Sequence, residues 1–136
     1  MGKRKQKAAL AIKDKKANEV SATLKNYPVS PRKAVLVADL IRGMEITKAM
    51  GVLKTLNKGM APAFYQLLKS SVANYYTKNQ GSMEDLLYIA SVYVTQGMTL
   101  KRIQPAPQGR AHRILKRYSH IKLNVAKVQV KENQLV

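Results

Sequence analysis

The hydrophobic positions along this chain change their period part of the way through. Val20, Ala22, Leu24 and Tyr27 alternate weakly with polar residues, which predicts a first strand over 20–29. Ser30-Pro31 then reads as a helix start, with serine at the cap and proline at the first helical position. Ala34, Val37, Ala38 and Ile41 recur at helical spacing, and Gly43 fits the C-terminal cap. Thr47 is the expected cap of a second helix whose stripe is Ala49, Met50, Leu53 and Leu56, ending at Asn57 to Gly59. Pro62 opens a third, with Phe64, Leu67, Leu68, Ser71, Val72 and Tyr75 on one side and a stop around Lys78 to Gly81.

Beyond that point the period falls to two. Leu86 to Thr95 is rich in Ile, Val and Tyr, and Ile121, Leu123 and Val125 alternate with Lys122, Asn124 and Ala126. The stretch between these two strands is polar and basic. A structureless loop of about 25 residues is unusual in a compact domain. The pattern instead predicts that both strands run on as a hairpin arm over about 97–120, turning near the Pro/Gly cluster Gln104 to Gly109. About ten residues per strand would carry it ~30 Å from the core. The expected fold is α+β: about three helices on a small three-stranded antiparallel sheet, with a long protruding β-hairpin. An isolated two-stranded hairpin is marginal in water, so such an arm needs a partner that wraps it.

Charge identifies the kind of partner. The chain has 136 residues, of which 25 are Lys or Arg and 7 are Asp or Glu, for a net charge of +18. That excess repels itself when compact and points to a polyanion. It is unevenly placed. Lys3, Arg4, Lys5, Lys7, Lys13, Lys15 and Lys16 face a single acid, Asp14, in residues 1–18, and residues 101–131 contain no acid at all. We therefore divide the chain into a basic, flexible extension (1–18) and a single domain (19–136) that includes the arm. The lysine-rich extension fits an RNA-binding or solvated segment better than an Arg- and Ser-rich transit peptide. Ala8 to Ile12 is too short for a secretory core, and no apolar run approaches the ~20 residues of a membrane span.

The same residues argue against catalysis. There is no cysteine, glycine-rich phosphate loop or nucleophile elbow, and Glu84-Asp85 is the one adjacent acid pair, in a turn-like stretch. Two histidines and no cysteine make a metal site or cofactor improbable. The expected RNA contacts are Lys101, Arg102, Arg110, Arg113, Lys116 and Arg117, joined by Lys122 in the same acid-free segment. Arginine's planar fork suits phosphate and stacks on bases. Arg32 and Lys33 are further candidates, because cations in the first turn of a helix oppose its dipole unless an external anion is present. His120 is a candidate to stack on or hydrogen-bond to RNA, and His112 a weaker one. Most aromatic residues fall on core stripes. Tyr118 alone lies inside the basic segment, which favours recognition of phosphate and shape over stacked single-stranded bases.

Ser30-Pro31-Arg32-Lys33 followed by Val37 to Gly43 resembles the opening helix of the bacterial large-subunit ribosomal protein L twenty-two family. Lys101-Arg102-Ile103, Gly109-Arg110-Ala111, Arg113 to Arg117 and Ser119-His120-Ile121 resemble that family's arm, so that the likeness spans about residues 20–128. The resemblance implies a non-enzymatic constituent of the cytoplasmic ribosome's large subunit. Its globular part would sit on the outside of the subunit, and its arm would brace ribosomal RNA and line the nascent-peptide exit tunnel. Implied partners are large-subunit rRNA, neighbouring ribosomal proteins and, near the arm tip, the nascent peptide. Neither a membrane nor obligate homo-oligomerisation is implied. Ala106, Pro107 and Gln108 depart from the family pattern, which often places Arg and Lys there. The rival reading is an architectural DNA-binding protein with basic arms, in which Pro105 or Pro107 wedges between base steps.

Overall fold

The structure is a computed structural model, and it describes residues 3–79 and 86–127. Among these the elements run α1 (Lys3–Asn18), β1 (Val20–Tyr27), α2 (Pro31–Ile41), α3 (Ile46–Thr55), α4 (Ala61–Asn79), β2 (Leu87–Pro105) and β3 (Ala111–Lys127). The sheet is antiparallel with the order β1-β3-β2, so the last strand is the central one. Alternation along β3 buries Ile121, Leu123 and Val125 on the face that the helices cover. Each such side chain contributes about 1.5–3 kcal/mol relative to exposure. Helix α4 packs across β1 and β3, α2 across β2 and β3, and α3 against α4 and β2. Their buried stripes meet there: Ala34, Val37, Ala38 and Ile41 from α2, Leu53 from α3, and Phe64, Leu67, Leu68 and Tyr75 from α4.

Local chemistry places the ends of these elements. Pro31 occupies the first turn of α2, and Gly43 takes a φ of 76 just past its end, a left-handed conformation that costs glycine little. The turn after α2 is tied to the sheet, with Gly43 N–H donating to the Ile89 carbonyl (3.1 Å) and Ile89 N–H to that of Met44 (2.9 Å). Helix α3 differs slightly from expectation. It begins at Ile46, with Glu45 at the cap position and Thr47 inside the helix. The cause is a strand-like bridge between Glu45 and Tyr88, which holds Glu45 extended. The Thr47 hydroxyl donates to Glu45 Oε1 at 2.7 Å, and Lys48 Nζ lies 3.2 Å from Oε2. These two bonds hold the Glu45 carboxyl below its ordinary range.

One feature goes beyond the sequence reading. Helix α1 occupies the segment read as an extension, and every one of its described side chains is exposed. Helices α2, α3 and α4 are therefore the ones that build the body, as the apolar stripes require. Glu84-Asp85 and the tail after Lys127 lie outside the described residues.

Stability should obey this division between body and arm. Phe64 is fully buried, whereas Ile103, far out on β2, is 74% exposed. Phe64→Ala should cost about 3–5 kcal/mol in urea denaturation of the free chain. Ile103→Ala should stay within about 0.5 kcal/mol of wild type. A large loss from the Ile103 variant would mean that the arm folds back onto the body.

Candidate nucleic-acid interface

Strands β2 and β3 stay paired from Leu87↔Lys127 to Pro105↔Ala111, so the arm extends the same ladder that forms the core. The turn comes after Pro105. Ala106 N–H donates to the Arg110 carbonyl (2.8 Å), and Gln108 and Gly109 both have positive φ, 60 and 70. From Lys101 to Arg117 every residue except Ala106 is exposed. The register matters for the charges. Leu100 faces Lys116, Lys101 faces Leu115, Arg102 faces Ile114 and Ile103 faces Arg113. Each pair sets one cation against one apolar side chain, so like charges never stand directly opposite, where they would destabilise the ladder. Because successive side chains alternate faces, Lys101 and Arg113 lie on one face and Arg102 and Lys116 on the other. The arm is cationic on both sides.

None of Lys101, Arg102, Arg110, Arg113, Lys116 and Arg117 has an ion-pair partner among the described residues. The one internal bond from these side chains is Arg102 Nη1 to the Lys101 carbonyl, 2.9 Å. Lys122 has a different setting from the arm cations. It lies in the core section of β3, and its Nζ is 3.8 Å from Glu19 Oε2, so the acid-free segment does find one carboxylate in space. His120 is used internally as well, with Nδ1 accepting the Asn26 N–H at 3.0 Å.

The fold brings the second group of candidates to the arm's base. Arg32 lines a cleft of about 430 Å³ with Ser30, Pro31, Gln96 and Arg117. An adjoining cleft of about 400 Å³ is lined by Pro28, Ser30, Leu115, Lys116, Arg117 and Tyr118. Arg117 thus serves both the arm and the first turn of α2. Lys33 is exposed on the same helical turn but lines neither cleft. The clefts escaped the sequence reading because Arg32 and Arg117 are 85 positions apart and meet only through the α2–sheet packing. No helix among the described residues is long and apolar enough to cross a membrane.

A small α+β body carries an uncovered cationic ribbon, an arrangement suited to contact with a polyanion. Comparison with known proteins makes the class specific. Residues 22–126 match the family described as Ribosomal protein L22p/L17e. Large ribosomal subunit protein uL22 of Bacteroides fragilis is 44% identical over 135 residues, covering 98% of this chain and 99% of that protein. The protein of the same name from Porphyromonas gingivalis is 46% identical over 126 residues, covering 92% and 94%, and that of Flavobacterium psychrophilum is 44% identical over 123, covering 89% and 90%. The chain belongs to this ribosomal protein family. The sequence reading reached the same family from the α2 and arm motifs.

The geometry separates the arm cations from Lys122. Arg113→Ala should lower the slope of log affinity against log salt for a structured RNA by about 0.7–0.9. Lys122→Ala should lower it by less, since Glu19 already neutralises that charge. Equal slopes for the two variants would contradict the division.

Proposed function

We propose that this chain is a structural constituent of the large subunit of the cytoplasmic ribosome, where it binds and cross-braces ribosomal RNA during assembly. The observation that carries the reading is the arm, on which six cations, exposed on both faces, have no carboxylate within the described structure. Closely packed phosphates repel one another, and fixed cations set among them release condensed counterions. An arm that is charged on one face would suit a single RNA surface. One that is charged on both suits insertion between RNA segments.

Each part of the chain then has its own contacts. Lys101, Arg102, Arg110, Arg113, Lys116 and Arg117 contact RNA along the arm. Arg32 meets it in the cleft at the base, and Lys33 beside it. Neighbouring ribosomal proteins are further partners. The tip residues Ala106, Pro107 and Gln108 carry no charge, which fits a tip that faces the nascent peptide in the exit tunnel. Helix α1 adds exposed Arg4, Lys5, Lys7 and Lys13 without packing any described side chain onto the body. The helix has no apolar face docked on the body, and even Leu10 and Ile12 are exposed, so RNA is also the natural cover for α1.

Six phosphate contacts predict a log–log salt slope of about −4 to −5. On a density gradient of cell lysate the chain should travel with large subunits at moderate salt and resist a modest increase. In direct competition it should prefer structured large-subunit RNA to duplex DNA. Tighter binding to the duplex would favour the architectural DNA-binding alternative and end this proposal.

A further inference from the structure

The three-stranded sheet narrows to the two-stranded arm at one level, and irregularities on both flanks of β3 coincide there. Strand β1 carries an extra residue between Leu24 and Tyr27, opposite His120 on β3, and Asn26 within it has a φ of 53. Asparagine tolerates that left-handed conformation better than most residues. Strand β2 carries an extra residue between Gln96 and Thr99, opposite Tyr118. Such bulges bend a strand, sharpen its twist and re-aim the residues beyond. Strand β3 runs between the two without an extra residue of its own.

The His120 ring joins them. Its Nδ1 accepts the Asn26 N–H from the β1 bulge at 3.0 Å, which places the ring proton on Nε2. Its other edge lies against Gly97 in the β2 bulge. A Cβ at position 97 would stand 3.2 Å from Nε2, 3.3 Å from Cε1 and 3.3 Å from Asn26 Oδ1. Glycine is needed here for close approach, not for a special φ. One imidazole thus spans from β1 to β2 across the central strand. The neighbouring Ser119 hydroxyl is buried without a hydrogen-bond partner, so it offers no competing tie.

We propose that His120, held between Asn26 and Gly97, is a positioning residue that sets the direction in which the arm leaves the body. It acts through the two bulges and not by touching RNA. The reason for a lock is leverage. The arm extends ~30 Å beyond the junction, so a tilt of about 10° there moves the tip by about 5 Å. A hydrogen bond to phosphate tolerates only tenths of an ångström. The significance of a fixed direction rests on the RNA-contacting role proposed above, but the lock itself is a property of the free chain.

The absence of cysteine allows the test to use the full chain. Spin labels at Lys58→Cys, on the body, and Gln108→Cys, at the tip, report the arm's direction as a distance distribution. With His120 intact we expect one narrow distribution. His120→Leu should broaden it or move its mean by several ångströms, and Gly97→Ala should shift it by crowding the ring. His120→Asn, whose amide oxygen can accept near the Nδ1 position, should restore much of the wild-type distribution, which a side chain acting only as core filler would not do. Nitrogen NMR of the unlabelled wild type should report an unprotonated Nδ1 and a protonated Nε2, a readout that survives if a variant fails to fold. An unchanged distribution in His120→Leu, or a proton on Nδ1, would overturn the proposal. RNA affinity of the arm-cation variants is measured separately. Loss of the RNA reading would leave these distances standing, and loss of the lock would leave the affinities standing.

Discussion

The rest of the structure depends on a charge that the protein does not neutralise itself. Between Lys101 and Arg117 the arm holds six cations and no acid. Elsewhere the chain does supply carboxylates: Asp39 lies 2.7 Å from Arg42, Glu45 pairs with Lys48, and Glu19 reaches Lys122. All three pairs belong to the body. Among the described residues no ion pair lies in the arm, beyond the junction where β1 ends.

This constraint explains why the arm continues the core ladder in place of a separate motif. A free hairpin is marginal, and self-repulsion makes a basic one worse. Here the inner halves of β2 and β3 are fixed by Leu87, Ile89, Val92, Ile121, Leu123 and Val125 in the core. Once these are buried, the outer residues add hydrogen bonds to an existing register and form no new nucleus. The body thus supplies stability, and the arm supplies reach.

Much of this was legible in the chain. Helix α2 is marked by Ser30-Pro31, a single apolar stripe and Gly43. The arm could be inferred because 25 unstructured residues between two strong strands would violate what compact domains tolerate, and one Pro/Gly cluster offered a turn. The arm cations are a consequence of that inference. What could not be read depends on register or on absence. The bulges that place Asn26 and Gly97 around His120, the Glu19–Lys122 pair and the Arg32–Arg117 cleft all require knowing how distant strands and helices align. Helix α1 has no apolar stripe, so periodicity had nothing to detect. Thr47 looked like the better cap by local preference, but the Glu45–Tyr88 bridge is a tertiary contact, and it sets the helix start two residues earlier.

The mixed faces of the arm also solve a problem that charge alone would not. Beyond β1 both edges of the ribbon are unpaired, and a two-stranded ribbon with one apolar face would invite pairing with another copy. Sorting Ile103, Ile114, Leu115 and Leu100 onto one side would have produced such a face. The observed register puts a cation opposite each of them, so neither face is continuously apolar and each edge carries positive charge. Two such arms repel. A polyanion, in contrast, meets cations on either face and covers the apolar side chains between them. The same alternation that limits like-charge contact within the arm therefore selects what can close around it.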